Sequence, residues 1–73
     1  MAQATQTITL DVNGEARSVP EGTTIAGLVE HLGLAKTACA VEVNRKLAPK
    51  ATHDDHTLAD GDHVEIVTLV GGG

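Results

Sequence analysis

The sequence predicts an α+β fold, with one helix laid on one face of a mixed sheet of four or five strands. Three observations predict it. Two alternating polar and apolar segments flank Asn13-Gly14 near the start. A single apolar helical face follows, made of Ile25, Leu28, Val29 and Leu32. Alternating segments then return, from Cys39 to Val43 and from His63 to Leu69.

Thr7-Ile8-Thr9-Leu10-Asp11-Val12 alternates with period two, so Ile8, Leu10 and Val12 face a core. Asn13-Gly14 is a strong hairpin signal, because a type I′ turn needs positive φ at both central residues. A two-residue turn pairs Val12 with Glu15, Leu10 with Arg17 and Ile8 with Val19. That register puts Arg17 on the core side. Either the guanidinium snorkels at a sheet edge or the hairpin carries a bulge, and both remain open. Pro20-Glu21-Gly22 reads as a turn and Thr23 as the helix N-cap. Gly33 suits the C′ position, with Leu34 closing over the helix end. Gly27 inside the helix costs about 1 kcal/mol relative to Ala and suggests a close approach to the sheet.

Cys39, Val41 and Val43 point inward on the third strand. Asn44-Arg45-Lys46 reads as a turn, and Leu47-Ala48 as a short edge segment before Pro49. The polar stretch from Lys50 to His56 reads as loop or a single helical turn. Leu58-Ala59-Asp60-Gly61-Asp62 is a turn feeding the last strand. There Val64, Ile66 and Thr68 face inward, and the apolar Val67 and Leu69 face outward. If the first and last strands lie side by side and parallel with the helix in the crossover, the architecture is a β-grasp, as in ubiquitin.

Composition narrows the function. The chain has 73 residues and no aromatic side chain, so one small core must be built from Ile, Leu, Val and Ala. Its single cysteine, Cys39, rules out an internal disulfide and a cysteine-rich metal staple and suits a reducing, cytoplasmic setting. The opening residues have neither the basic nor the apolar region of a signal peptide, and no apolar run has the length of a membrane span. Ten acidic residues against five basic ones argue against nucleic acid or an anionic membrane as partner. Cys39 reads as a small core hydrophobe rather than a reactive thiol. His53-x-x-His56 reads as solvated loop rather than a metal site, so no metal is expected. His31 and His63 read as surface residues.

The most informative segment is Leu69-Val70-Gly71-Gly72-Gly73. Three successive glycines contribute nothing to a core. They make a thin tail, Gly71 to Gly73, after a domain spanning 1–70. A tail of this kind can thread into a slot on another protein and present its carboxylate. Four residues from Val70 reach roughly 13–14 Å when extended. Val67, Leu69 and Val70 then read as the docking residues at its base, in preference to a patch covered by a neighbouring loop.

Val41-x-Val43-Asn44, Leu58-Ala59-Asp60-Gly61-Asp62 and the run from Val64 to Gly73, together with Asn13-Gly14 and Glu21-Gly22-Thr23-Thr24, resemble the ThiS family, the sulfur carriers of thiamin thiazole synthesis. The likeness covers essentially the whole chain. Thr68-Leu69-Val70 stands where the related small subunit of molybdopterin synthase usually has a proline-containing segment. Asn44-Arg45 departs from the Asn-Gly that family members often carry after the third strand. The resemblance implies a carrier, not an enzyme. An E1-like adenylating enzyme activates the Gly73 carboxylate, with Gly71 and Gly72 threading the tail into its site. Sulfur from a cysteine desulfurase relay displaces AMP to leave a thiocarboxylate, and a thiazole synthase takes that sulfur. No resident cofactor is implied: the sequence holds no Gly-x-x-x-x-Gly-Lys-Ser/Thr loop, so ATP belongs to the partner. A monomer is expected when free. The alternatives are the same chemistry for molybdopterin or another sulfur-containing metabolite, or a ubiquitin-like modifier attached to lysines.

Overall fold

The computed structural model describes residues 6–69. Strand β1, Thr7–Val12, and strand β2, Glu15–Pro20, form the opening hairpin. Asn13 and Gly14 both have positive φ, 52° and 86°, as a type I′ turn requires. The register runs unbroken through Val12↔Glu15, Leu10↔Arg17 and Ile8↔Val19, so there is no bulge. Arg17 shares the face of Leu10 but lies on an edge strand. Its side chain therefore reaches solvent, 42% exposed, with its guanidinium 3.9 Å from the Glu15 carboxylate.

Helix α1 spans Ile25–His31, and its N-cap is Thr24, one residue later than expected. Thr24 has extended backbone (ψ 170°), and its hydroxyl oxygen accepts from the Gly27 N–H at 3.1 Å. Thr23 instead closes the preceding turn, its hydroxyl donating to the Pro20 carbonyl at 2.6 Å. The other two leading N–H groups are satisfied from a distant segment. Ile25 donates to the His56 carbonyl and Ala26 to the His53 carbonyl, each at 3.0 Å. At the other end Leu32 is the cap and Gly33 takes φ +77°. Gly33 donates to Glu30 and Leu34 to Val29, both at 2.9 Å, which is a Schellman closure. Gly27 does not approach the sheet. It lies on the exposed side, and a Cβ there would meet only Thr23 and Thr24, at an ordinary 3.5 Å.

Strand β3 is Cys39–Val43, β4 is Lys46–Ala48 and β5 is His63–Thr68. The sheet order is β2-β1-β5-β3-β4, with β5 parallel to β1 and antiparallel to β3. The mixed sheet thus has five strands, with α1 packed on one face, as the β-grasp expectation requires. Asn44 and Arg45 make the β3–β4 turn at φ 52° and 69°, so the hairpin closes without the usual glycine.

The core is aliphatic. Leu10, Val19, Ile25, Leu28, Val41 and Val64 are fully enclosed, and Cys39 is partly buried against them. Leu58, read only as part of a turn, is 3% exposed and belongs to this core. Thr68 is on the inward side of β5 by alternation yet is exposed. It pairs with Cys39, itself only partly buried, where the strand runs out past the core.

The segment after β4 departs most from expectation. Lys50–Thr52 forms a short 3-10 helix, and His53 after it is buried, not solvated. Its Nε2 donates to the Ala48 carbonyl at 2.8 Å, tying this segment to β4.

Candidate functional site

The candidate site is the outward end of β5. Alternation along the strand sends Val64 and Ile66 into the core and leaves Val67 and, just after the strand, Leu69 at 58% and 55% exposed. Both therefore lie in the open, as expected of docking residues, and no loop among the described residues covers them. Val67 pairs with the small Ala40 on β3, which leaves its isopropyl group proud of the sheet. The Leu69 N–H donates to the Ala38 carbonyl at 2.8 Å, so the chain stays tied to the sheet through Leu69. The expectations for Val70, Gly71, Gly72 and Gly73 fall outside the described residues.

The same face carries an acidic border. Asp11 pairs with His63, and Glu42 with Glu65, on neighbouring strands. The His63 ring bridges two of these carboxylates, with Nδ1 3.2 Å from Asp11 Oδ2 and Nε2 3.3 Å from Glu65 Oε1. The second Asp11 oxygen is enclosed without a hydrogen-bond partner among the described residues. Leu47, 66% exposed on β4 and opposite Glu42, is a third open apolar side chain on this side. Sequence reasoning placed it only on an edge segment. Its signal was a large aliphatic residue beside Ala48, which takes the buried side of this three-residue strand.

Three turns fix where β5 starts and hold it as far as Ile66. In the Asp60-Gly61-Asp62 turn, Asp60 Oδ1 accepts from the Thr9 N–H and Asp62 Oδ2 from the Ala59 N–H, both at 2.8 Å. Asp62 Oδ1 accepts from Asn44 Nδ2 at 3.0 Å, while Asn44 Oδ1 accepts from the His63 N–H at 3.0 Å. Asn13 does the same for the far end of the strand: its Oδ1 accepts from the Ile66 N–H at 2.8 Å and its Nδ2 donates to the Ile66 carbonyl at 3.1 Å. The sequence marked these residues as turn formers. Their long-range bonds were not visible, because each joins positions far apart in the chain.

Chemically the described part of the site offers an apolar surface, with no reactive cluster among the described residues. Among the described residues, no group of three or more His, Cys, Asp and Glu side chains is placed to hold a metal ion. His56 lines a shallow hollow of about 420 Å³ beside β4, together with Asn44, Lys46 and Pro49. No helix among the described residues is long and apolar enough to cross a membrane.

A β-grasp domain with an open apolar patch at the base of a glycine tail defines the class of small carrier and modifier proteins. Within that class the chain belongs to the ThiS family, whose model matches residues 5–73. It is 37% identical over 62 residues to a protein of Thermus thermophilus named sulfur carrier protein ThiS, covering 85% of this chain and 95% of that one. A solved structure of a thiamine biosynthesis protein (ThiS) from Geobacter metallireducens superimposes with a TM-score of 0.77 at 32% identity, over 90% of this chain and 100% of that one. A thiazole synthase of Paramagnetospirillum magneticum contains a 64-residue stretch 38% identical to 88% of this chain. The chain spans only about a fifth (20%) of that protein's length.

Proposed function

We propose that this protein is a sulfur carrier of thiamin biosynthesis that serves as substrate and courier and is not itself a catalyst. The reactive group is the Gly73 carboxylate. A carboxylate resists nucleophiles, because its charge repels them and oxide leaves poorly. Transfer of AMP from ATP to one carboxylate oxygen, with release of pyrophosphate, creates an acyl-adenylate with a good leaving group. The outer sulfur of a persulfide on a cysteine desulfurase relay then displaces AMP to form an acyl disulfide. A second thiol cleaves that bond by thiol–disulfide exchange and is itself oxidised to a disulfide, and the thiocarboxylate released supplies sulfur to a thiazole synthase. ATP is bound by an E1-like adenylating partner, and the carrier needs no resident cofactor. Gly71 and Gly72 carry no side chain that would widen the thread entering that partner's slot, while Val67, Leu69 and Val70 dock at its mouth. The whole sequence acts in a reducing cytosol, where Cys39 stays a thiol.

The observation that carries this reading is the family match across residues 5–73, which includes the glycine tail. The thiazole synthases that contain a stretch like this chain support the choice of acceptor. Intact mass spectrometry tests it. After incubation with an activating enzyme, ATP and a sulfur source, the chain should gain the mass of one oxygen exchanged for sulfur, located at Gly73 by fragmentation. An unchanged mass, under conditions that convert a known carrier, would refute the proposal.

A further inference from the structure

We infer that Asn13 is a positioning residue for the tail, acting through β5. The inference rests on the carrier reading above and deepens it. Strand β1 pairs with β5 only at Asp11↔His63 and Val12↔Val64. The last main-chain bond of that ladder is Asn13 N–H to the Val64 carbonyl, at 2.9 Å. The chain then turns away through Asn13-Gly14, so β1 has no residue left to face Ile66. The Asn13 side chain takes that place. Its primary amide has the same donor and acceptor pair as a peptide unit, and it meets both main-chain groups of Ile66, at 2.8 and 3.1 Å.

The turn by itself does not call for this amide. Asn13 sits at φ 52°, and glycine would adopt that conformation more easily. The side chain is therefore free to serve β5. It holds one edge of the strand out to Ile66, while the Leu69 N–H bond to Ala38 holds the other. Val67 lies between these two ties, and Leu69 carries the second. The bracket keeps the docking side chains and the exit of the chain in one fixed relation. The base of the tail then loses little freedom when a partner engages it, which favours binding by pre-organisation.

The test compares Asn13→Gly and Asn13→Asp with the parent protein. Two quantities are read: amide hydrogen exchange, and the kinetics of adenylation by the activating enzyme with the carrier as varied substrate. In Asn13→Gly, which keeps a turn-compatible residue, the Ile66 amide should exchange about tenfold faster, the equivalent of one net hydrogen bond. The amides of Leu10 and Val41 should keep their protection. KM for the carrier should rise several-fold with kcat unchanged, the mark of lost binding and not of lost chemistry. Asn13→Asp keeps the acceptor for the Ile66 N–H and tolerates positive φ but sets a carboxylate oxygen against the Ile66 carbonyl, so it should recover only part of the Ile66 protection and give an intermediate KM. Unaltered Ile66 exchange in Asn13→Gly overturns the proposal, as does faster exchange with an unchanged KM. A general loss of protection with a fall in kcat would reduce Asn13 to an ordinary structural role and also overturn it. Failure of the parent chain itself to become adenylated refutes the carrier reading, and is told apart because no variant is needed to see it.

Discussion

Arg45 occupies the left-handed region at φ 69° in a two-residue hairpin turn. An L-residue with a Cβ pays about 1–2 kcal/mol for that conformation. Asn44 tolerates its own positive φ better, because a short amide can bond locally, and here it also bonds to Asp62 and His63. Arg45→Gly should therefore stabilise the protein by roughly 1 kcal/mol once the extra unfolded-state freedom of glycine is subtracted, seen as a higher urea midpoint at unchanged m-value. Gly27 offers the converse case. It is helical and exposed, and a methyl group there meets nothing closer than 3.5 Å. Gly27→Ala should raise stability by about 0.5–1 kcal/mol, again read from the urea midpoint. A loss of stability there would mean that the Thr24 cap is more tightly fitted than the distances indicate.

Helix α1 has only seven residues, too few to persist alone in water. It depends on what it packs against and on the chain that caps it. Ile25 and Leu28 are fully buried, so Leu28→Ala should cost about 2–5 kcal/mol in chemical denaturation, the range for a cavity in a tight aliphatic core. The capping chain runs through His53, whose carbonyl receives the Ala26 N–H and whose ring binds Ala48. Replacing His53 by Ala leaves the Ala48 carbonyl without that donor and should cost about 1–3 kcal/mol. At this level the sequence was readable where pattern is local. The period of two in β1 and β5, the Asn13-Gly14 turn and the Gly33 closure all reappear in the structure. It was unreadable where a residue's role comes from a distant contact. His53 and Leu58 sit in a polar stretch with no periodicity, and only the fold brings them under the helix. Thr23 and Thr24 are adjacent equivalents, and the turn through Gly22 decides which one caps.

Across the whole molecule, the core and the proposed docking patch lie on opposite faces of one sheet. Ile66 and Val64 belong to the core, while Val67 and Leu69 are more than half exposed. A paired Val67→Asp, Leu69→Asp variant should thus keep its stability within about 0.5 kcal/mol. It should lose adenylation efficiency by at least about tenfold, since two unpaired carboxylates set into an apolar contact cost well over the ~1.4 kcal/mol that a factor of ten represents. Thermal melting and kcat/KM measured on the same preparation check both halves. The exposure of Val67 and Leu69 was legible in the sequence because an alternating strand with apolar residues on both sides has one side too many. Leu47 was not, since three residues are too few to show a face. The strand order has a further consequence for how the chain acquires its shape. β5 lies between β1 and β3, yet in chain order it follows the other four described strands. Until it emerges from the ribosome, the opening hairpin and the β3–β4 hairpin have nothing to join them. The nascent polypeptide therefore stays open, and exposed to chaperones and proteases, until β5 has been made.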